Sequence, residues 1–148
     1  MRGGRCVIMG DLWPRSILIG AGKTWLIDWE FAHYGSPIQD VSHLAAHCWM
    51  QAHTAKERVE RERWRDFWLG FERAYGSLSV AERRDGAVHA GAEILTRAIG
   101  SFREGCVYAG LPSRAPLVAE ATEVARRSLS EWSLEDYSHG GPAWAYLR

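Results

Sequence analysis

Two short apolar runs separated by four turn-forming residues constrain the fold of this chain more than any other feature. Residues 17–19 and 24–27 are rich in β-branched and aromatic side chains, and residues 20–23 between them contain two glycines. This pattern predicts a β-hairpin. Asp11 precedes the hairpin and Asp28 follows it directly. The hairpin is therefore expected to bring these two carboxylates toward one small volume.

Beyond the hairpin, apolar residues recur at intervals of three and four, which is typical of amphipathic helices. Ser36 and Pro37 can open the first helix, and Ser79 with Glu82 forms a capping-box pattern. The first predicted helix begins at residue 36. The other three cover residues 56–75, 79 to about 102, and 115–132. The fold class is therefore predicted as α+β and mainly α, with a short β-hairpin packed on about four helices.

One domain is expected over residues 1–148, because this length is typical of a single domain. We divide it into a loop-and-hairpin part over 7–34, a helical subdomain over 36–133 and a loose, turn-rich tail over 134–148. Aromatic residues of the second predicted helix, such as Trp64 and Trp68, are assigned to the core.

Charge and cysteine content exclude several classes of protein. Lys plus Arg and Asp plus Glu are 18 each, so no net positive field attracts nucleic acid. No run of about 18 apolar residues occurs, so no membrane span is predicted. The three cysteines form no CxxC pair, which favours a reducing compartment. We therefore expect a cytoplasmic protein with no nucleic-acid partner.

Asp11 and Asp28 are the residues best suited to carry chemistry. Two carboxylates presented beside a hairpin suit phosphoryl transfer, in which one accepts the proton of an attacking hydroxyl and the other holds Mg²⁺. From the spacing alone, the alternative that Asp11 caps a turn and Asp28 ends a strand stays open.

The segments MGDLWPRSILI and LIDWEFAHYGSPIQD resemble the catalytic and metal-binding segments of the aminoglycoside phosphotransferase and choline kinase-like family. That family shows the pattern H-G-D-x-x-x-x-N, a hairpin, I-D-x-E and then G-x-P-x-x-D at the start of a helix. The resemblance covers residues 7–50 and implies the C-terminal lobe of a protein-kinase-like fold. It also implies phosphorylation of a small-molecule hydroxyl acceptor, with ATP and Mg²⁺ as cofactors.

The resemblance assigns roles by position. It implies that Asp11 is the catalytic base, that Asp28 is the Mg²⁺ ligand, and that Ser16 and Glu30 are auxiliary metal ligands. It also implies that Asp40 and Met9 support the catalytic loop. Arg15 and Trp13 are implied to contact phosphate or substrate.

Three residues depart from the family pattern. Met9 replaces the usual His, Arg15 replaces Gly, and Ser16 replaces an Asn that would ligate metal. A serine hydroxyl is a poorer ligand than an amide oxygen. The family also implies a preceding lobe that binds the nucleotide, and no such lobe precedes residue 7. We therefore expect a truncated chain that is weak or inactive alone.

Two other functions remain open. The first is a non-catalytic pseudokinase, an interaction module that self-associates as a homodimer or binds a partner chain through its exposed inter-lobe surface. The second is a metal hydrolase that uses Asp11, Asp28 and the histidines. His43 and His47 lie one helical turn apart, with Asp40 nearby, and are interpreted as either metal ligands or partly exposed helix positions.

Overall fold

The computed structural model describes residues 5–138 and 140–147. Residues 1–4 of the predicted domain, and His139 and Arg148 of its predicted tail, lie outside the described residues. Within the described part, four short strands precede four helices. The predicted α+β, mainly α fold class is confirmed.

The strands form two antiparallel pairs. β1 (Cys6–Ile8) pairs with β4 (His33–Gly35), and β2 (Ile17–Gly20) pairs with β3 (Lys23–Leu26). In the second pair Ile17 lies opposite Leu26, so the predicted hairpin is confirmed. β4 was not predicted, because three residues are too few to show a strand periodicity. We call residues 6–35 the β layer.

The helices are α1 (Ile38–Thr54), α2 (Arg58–Tyr75), α3 (Val80–Ala98) and α4 (Pro116–Ser130). We call them the helical platform. α3 packs against α1 and α4, and α1 packs against α2. Their shared core contains large, fully buried side chains such as Leu44, Trp49, Trp68, Ile94 and Val124. Within residues 5–138 and 140–147, no helix is both long and apolar enough to cross a membrane.

Local signals determine the start of α3 and the end of α2. The Ser79 hydroxyl accepts a hydrogen bond from the Glu82 amide, and the Glu82 carboxylate accepts one from the Ser79 amide. Gly76 ends α2 at a φ of +102°, a conformation that glycine adopts without steric cost. Ser36 does not cap α1. The helix begins at Ile38, so the cap position falls on Pro37, which has no side-chain hydrogen-bonding group.

The predicted end of α3 is wrong. The helix stops at Ala98 rather than near residue 102. Ile99 and Phe102 lie within the predicted range of this helix but outside α3, and they are 46% and 58% exposed. The amides of both Ile99 and Gly100 donate to the Leu95 carbonyl, so the backbone turns away from the helix axis at this point.

Gly91 allows α3 and α4 to approach closely. A Cβ atom added there would lie 2.8 Å from the Ala125 carbonyl oxygen and 2.9 Å from the Ser128 Cβ. A larger residue would force the two helices apart. The close contact keeps α3 in place where it carries side chains toward the β layer.

The segment predicted as a loose tail packs on the platform over its described residues. Leu134, Tyr137 and Ala143 are fully buried. The Trp49 indole donates a 2.8 Å hydrogen bond to the Ala143 carbonyl, and the Tyr137 hydroxyl lies 2.7 Å from the Ser128 hydroxyl. The apolar residues of this segment outweigh its turn signals, so the prediction of a loose tail is wrong.

Candidate active site

A loop between β1 and the hairpin is held from below by Asp40. One oxygen of this carboxylate accepts a 2.7 Å hydrogen bond from the Met9 amide, and the other accepts a 2.8 Å bond from the Gly10 amide. Asp40 lies in the first turn of α1, where the helix dipole also favours a negative charge. The Met9 side chain is buried beside this anchor. The platform therefore determines where the loop begins.

Gly10 is required by the path of that loop. Its φ is +83°, and a Cβ atom built on it would lie only 2.5 Å from the Phe31 carbonyl oxygen. Any other residue would add both backbone strain and a clash. The glycine thus lets the loop pass close to the segment that follows the hairpin, and Asp11 comes next.

Asp11 is paired with an arginine that sequence reasoning missed. Arg97, from α3, donates through Nη2 to Asp11 Oδ1 at 2.8 Å. The side chains of Asp11 and Arg97 are 23% and 12% exposed, so water screens this ion pair only partly. The contact joins the loop to a helix that lies 86 residues later in the chain.

The same arginine is held by Glu93. Arg97 Nε donates to Glu93 Oε1 at 2.6 Å, and His47 Nε2 lies 2.9 Å from the same oxygen. Burial alone would raise the pKa of Glu93, but the hydrogen bond with His47 and the nearby positive charges lower it to about 2. Burial lowers the pKa of Arg97, and the Glu93 carboxylate more than offsets this and raises it. The result is a chain of polar contacts, here called the charge chain, that runs from His47 on α1 through Glu93 and Arg97 to Asp11 in the loop.

His43 faces Asp11 without reaching it. Its Nδ1 atom is 4.0 Å from Asp11 Oδ1, and this buried nitrogen has no hydrogen-bond partner among the described residues. Burial lowers the pKa of His43. Asp11, His43, Glu93 and Arg97 line a cleft of about 200 Å³, together with aromatic side chains from Phe31 and Phe102.

Ser16, predicted as an auxiliary metal ligand, is buried and engaged elsewhere. Its hydroxyl donates to the Trp13 carbonyl at 2.7 Å and accepts from the Trp13 amide at 3.2 Å. Both bonds stabilise the 3₁₀ turn Pro14–Ser16. A metal-ligand role would require these two hydrogen bonds to break.

Trp13 and Arg15 lie together beside this turn. The Arg15 guanidinium stacks 5.4 Å from the centre of the Trp13 ring, and the Trp13 ring packs against His47. Neither residue lines the cleft around Asp11. Their predicted contact with phosphate or substrate stays a prediction.

Asp28 and Glu30, the predicted metal carboxylates, lie in the exposed segment after the hairpin. Neither lines the cleft around Asp11. Asp28 has a φ of +74°, in the left-handed region that non-glycine residues seldom adopt. Such strain is concentrated at functional sites, so the backbone marks Asp28 independently of any motif.

The alternative in which His43 and His47 share a metal is not supported by their contacts. His47 bonds to Glu93, and Asp40 is occupied by the loop amides. The two residues that sequence reasoning missed, Glu93 and Arg97, carry one local signal. Their spacing of four favours an ion pair along a helix. Nothing in that spacing indicates Asp11 as a third partner.

Comparisons with known proteins agree with the motif. The model of the phosphotransferase enzyme family matches residues 2–79, more than half of the chain. A methylthioribose kinase from Exiguobacterium sibiricum is 33% identical over 119 residues, which cover 66% of this chain and 31% of that protein. The chain therefore spans about a third of the length of this relative. The chain belongs to the phosphotransferase enzyme family, and the resemblance found in residues 7–50 is confirmed at that level.

Proposed function

We propose that this member of the phosphotransferase enzyme family transfers the γ-phosphoryl group of ATP to a hydroxyl of a small molecule. The observation that carries the proposal is the anchoring of the Asp11 loop by Asp40, through hydrogen bonds to the Met9 and Gly10 amides. This anchoring holds a carboxylate at the edge of a cleft of about 200 Å³, a volume that suits a small acceptor.

Asp11 acts as the base in this proposal. Its carboxylate accepts the proton of the acceptor hydroxyl, the acceptor oxygen bonds to the γ-phosphorus, and the bond to the β-phosphate oxygen breaks to release ADP. Arg97 already occupies Oδ1 of Asp11, which leaves Oδ2 for the acceptor hydroxyl. The ion pair orients the carboxylate before the acceptor arrives.

The exposed carboxylates of Asp28 and Glu30 fit Mg²⁺, because this ion prefers hard oxygen ligands and keeps several waters. Bound there, Mg²⁺ would neutralise charge on the phosphates of the nucleotide. The strained backbone of Asp28 supports its assignment as the main ligand. Ser16 contributes least, because its hydroxyl is bonded to Trp13.

We expect a low rate from this chain alone. Phosphoryl transfer depends mostly on positioning, and the Asp28 segment lies open to water. The interaction-module alternative draws on the exposed apolar side chains of the β layer. Family membership favours phosphotransfer over that alternative.

Phosphotransfer from ATP to a panel of small alcohols, including methylthioribose and choline, tests the proposal. We expect a slow, acceptor-dependent release of ADP that falls about 100-fold or more in Asp11→Asn, since general-base catalysis contributes this much. Asp28→Asn should weaken binding of MgATP. Asp66→Asn, which changes an exposed carboxylate on α2, is the matched control. A chain that neither binds MgATP nor phosphorylates any acceptor would contradict the proposal.

A further inference from the structure

Three metal-binding side chains meet at the cleft, and they come from three separate elements. Asp11 lies in the loop after β1, His43 in α1 and Glu93 in α3. Each offers one ligand atom, and the three atoms lie within 4.8 Å of one another. This trio differs from the Asp28 and Glu30 carboxylates that we assign to Mg²⁺.

His43 provides an independent sign of a missing partner. Its Nδ1 atom is buried, and no described residue donates to it or accepts from it. The nearest carboxylate oxygen, Oδ1 of Asp11, is 4.0 Å away, which is too far for a hydrogen bond. Buried polar atoms nearly always have a hydrogen-bond partner or a metal ion bound to them. An unpaired ring nitrogen that faces a carboxylate therefore indicates that a ligand binds between the two groups.

We propose that Asp11, His43 and Glu93 bind a Zn²⁺ ion. Zn²⁺ bonds to imidazole nitrogen and carboxylate oxygen at about 2.0–2.2 Å, which places tetrahedral ligands roughly 3.3 Å apart. The three ligand atoms lie within 4.8 Å of one another, so binding requires them to move closer by about 1.5 Å or less. The cleft of about 200 Å³ that these residues line has room for a water molecule as a fourth ligand.

Arg97 does not exclude this ion. It bonds to Oδ1 of Asp11 and Oε1 of Glu93, so the other oxygen of each carboxylate carries no bond to Arg97. An ion that bonds to Oδ1 of Asp11, the oxygen that faces His43, would share it with Arg97. Two carboxylates and one guanidinium leave one net negative charge, which attracts a divalent cation. His47 bonds to Glu93 and thereby orients that ligand, as outer-shell residues do in known zinc sites.

The ligand set selects Zn²⁺ over Mg²⁺. A ring nitrogen is a poor ligand for Mg²⁺, which demands octahedral oxygen coordination, whereas Zn²⁺ tolerates mixed nitrogen and oxygen ligands at irregular angles. A second consequence rests on the proposed function: an Asp11 bound to Zn²⁺ cannot accept a proton, so Zn²⁺ inhibits phosphotransfer.

Calorimetric titration of the metal-stripped full chain with Zn²⁺, without nucleotide, tests the binding site. We expect one Zn²⁺ per chain with micromolar or tighter affinity, and no comparable signal with Mg²⁺. His43→Gln should weaken binding by about 10-fold or more, because it removes one of three ligands. Co²⁺, a spectroscopic substitute, should show the visible absorption of a four-coordinate site in the wild type and lose it in His43→Gln.

The matched control is His89→Gln, which changes a partly buried histidine on α3 outside the trio and should bind Zn²⁺ as the wild type does. We choose His43→Gln rather than a Glu93 variant, because Glu93 also bonds to Arg97 and His47 and its loss would disturb both. The circular dichroism spectrum of His43→Gln should match that of the wild type. Absence of saturable micromolar binding, or equal affinity in His43→Gln, would overturn the proposal. A failure of phosphotransfer leaves this binding result unchanged, so the two proposals fail separately.

Discussion

The helical platform and the β layer differ in how deeply they bury large apolar side chains. In the platform, Trp49, Trp68 and Leu44 are almost completely buried. In the β layer, large apolar side chains are mostly exposed, namely Val7, Leu18, Ile19, Trp25, Leu26, Ile27, Trp29, Phe31 and Tyr34. Buried apolar area is the main source of folding free energy. The platform therefore stabilises the fold, whereas the β layer carries Asp11 and Asp28.

Two polar connections join these regions at the candidate active site. Asp40 of α1 holds the Met9 and Gly10 amides, and Arg97 of α3 holds Asp11. A weakly packed layer thus obtains its geometry from the platform through hydrogen bonds and ion pairs. Four predictions test this division.

Replacing a tryptophan in each region should give very different losses of stability. Trp49→Ala creates a cavity in the core and should lower the free energy of unfolding by about 3–5 kcal/mol. Trp25→Ala removes a side chain that is 45% exposed and should cost about 1 kcal/mol or less. Urea unfolding followed by circular dichroism measures both. Equal losses would show that the β layer contributes to the fold as much as the platform does.

The charge chain through Glu93 should make the free energy of unfolding depend on pH in the acidic range. The folded-state pKa of Glu93 is lowered from its ordinary 4.5 to about 2, so its contribution is present above pH 4.5 and is lost as the pH falls toward 2. That contribution is on the order of 3 kcal/mol. Urea unfolding at several pH values should show the wild type losing more stability in this window than Glu93→Gln.

Glu104→Gln, which changes an exposed loop carboxylate, is the control for Glu93 and should keep the acid dependence of the wild type. If Glu93→Gln and the wild type lose stability in parallel between pH 4.5 and 2, the charge chain does not couple α1, α3 and the loop energetically.

Asp40→Ala should detach the loop from the platform. It leaves the Met9 and Gly10 amides without their acceptors and should lower stability by about 2 kcal/mol, since hydrogen bonds to a charged group contribute this much. Hydrogen exchange should accelerate at those two amides and stay slow within α3. Asp85→Ala, at an exposed position of α3, should leave both amides protected. Unchanged exchange in Asp40→Ala would contradict the anchor.

Asp28→Gly should have the smallest effect on stability. Glycine adopts a φ of +74° without strain, so the free energy of unfolding should change by less than about 1 kcal/mol. MgATP binding should weaken as in Asp28→Asn if Asp28 is a metal ligand. A large loss of stability in Asp28→Gly would instead assign this side chain a structural role in the β layer.

The sequence by itself determined the features that depend on neighbouring residues. The hairpin follows from its apolar runs and turn glycines, the platform helices from their periodicity and from signals such as Gly76 and Ser79, and the family from the motif around Asp11 and Asp28. Each is encoded within a few residues of the chain, where local conformational preference acts.

Only the tertiary structure decided which distant groups meet. The pairing of Asp11 with Arg97, the position of His43 beside them and the hydrogen bond from Trp49 to the Ala143 carbonyl follow from no local pattern. These contacts depend on how α1, α3 and the loop pack in three dimensions. Periodicity identifies which face of a helix is buried, but it does not specify which partner that face will contact.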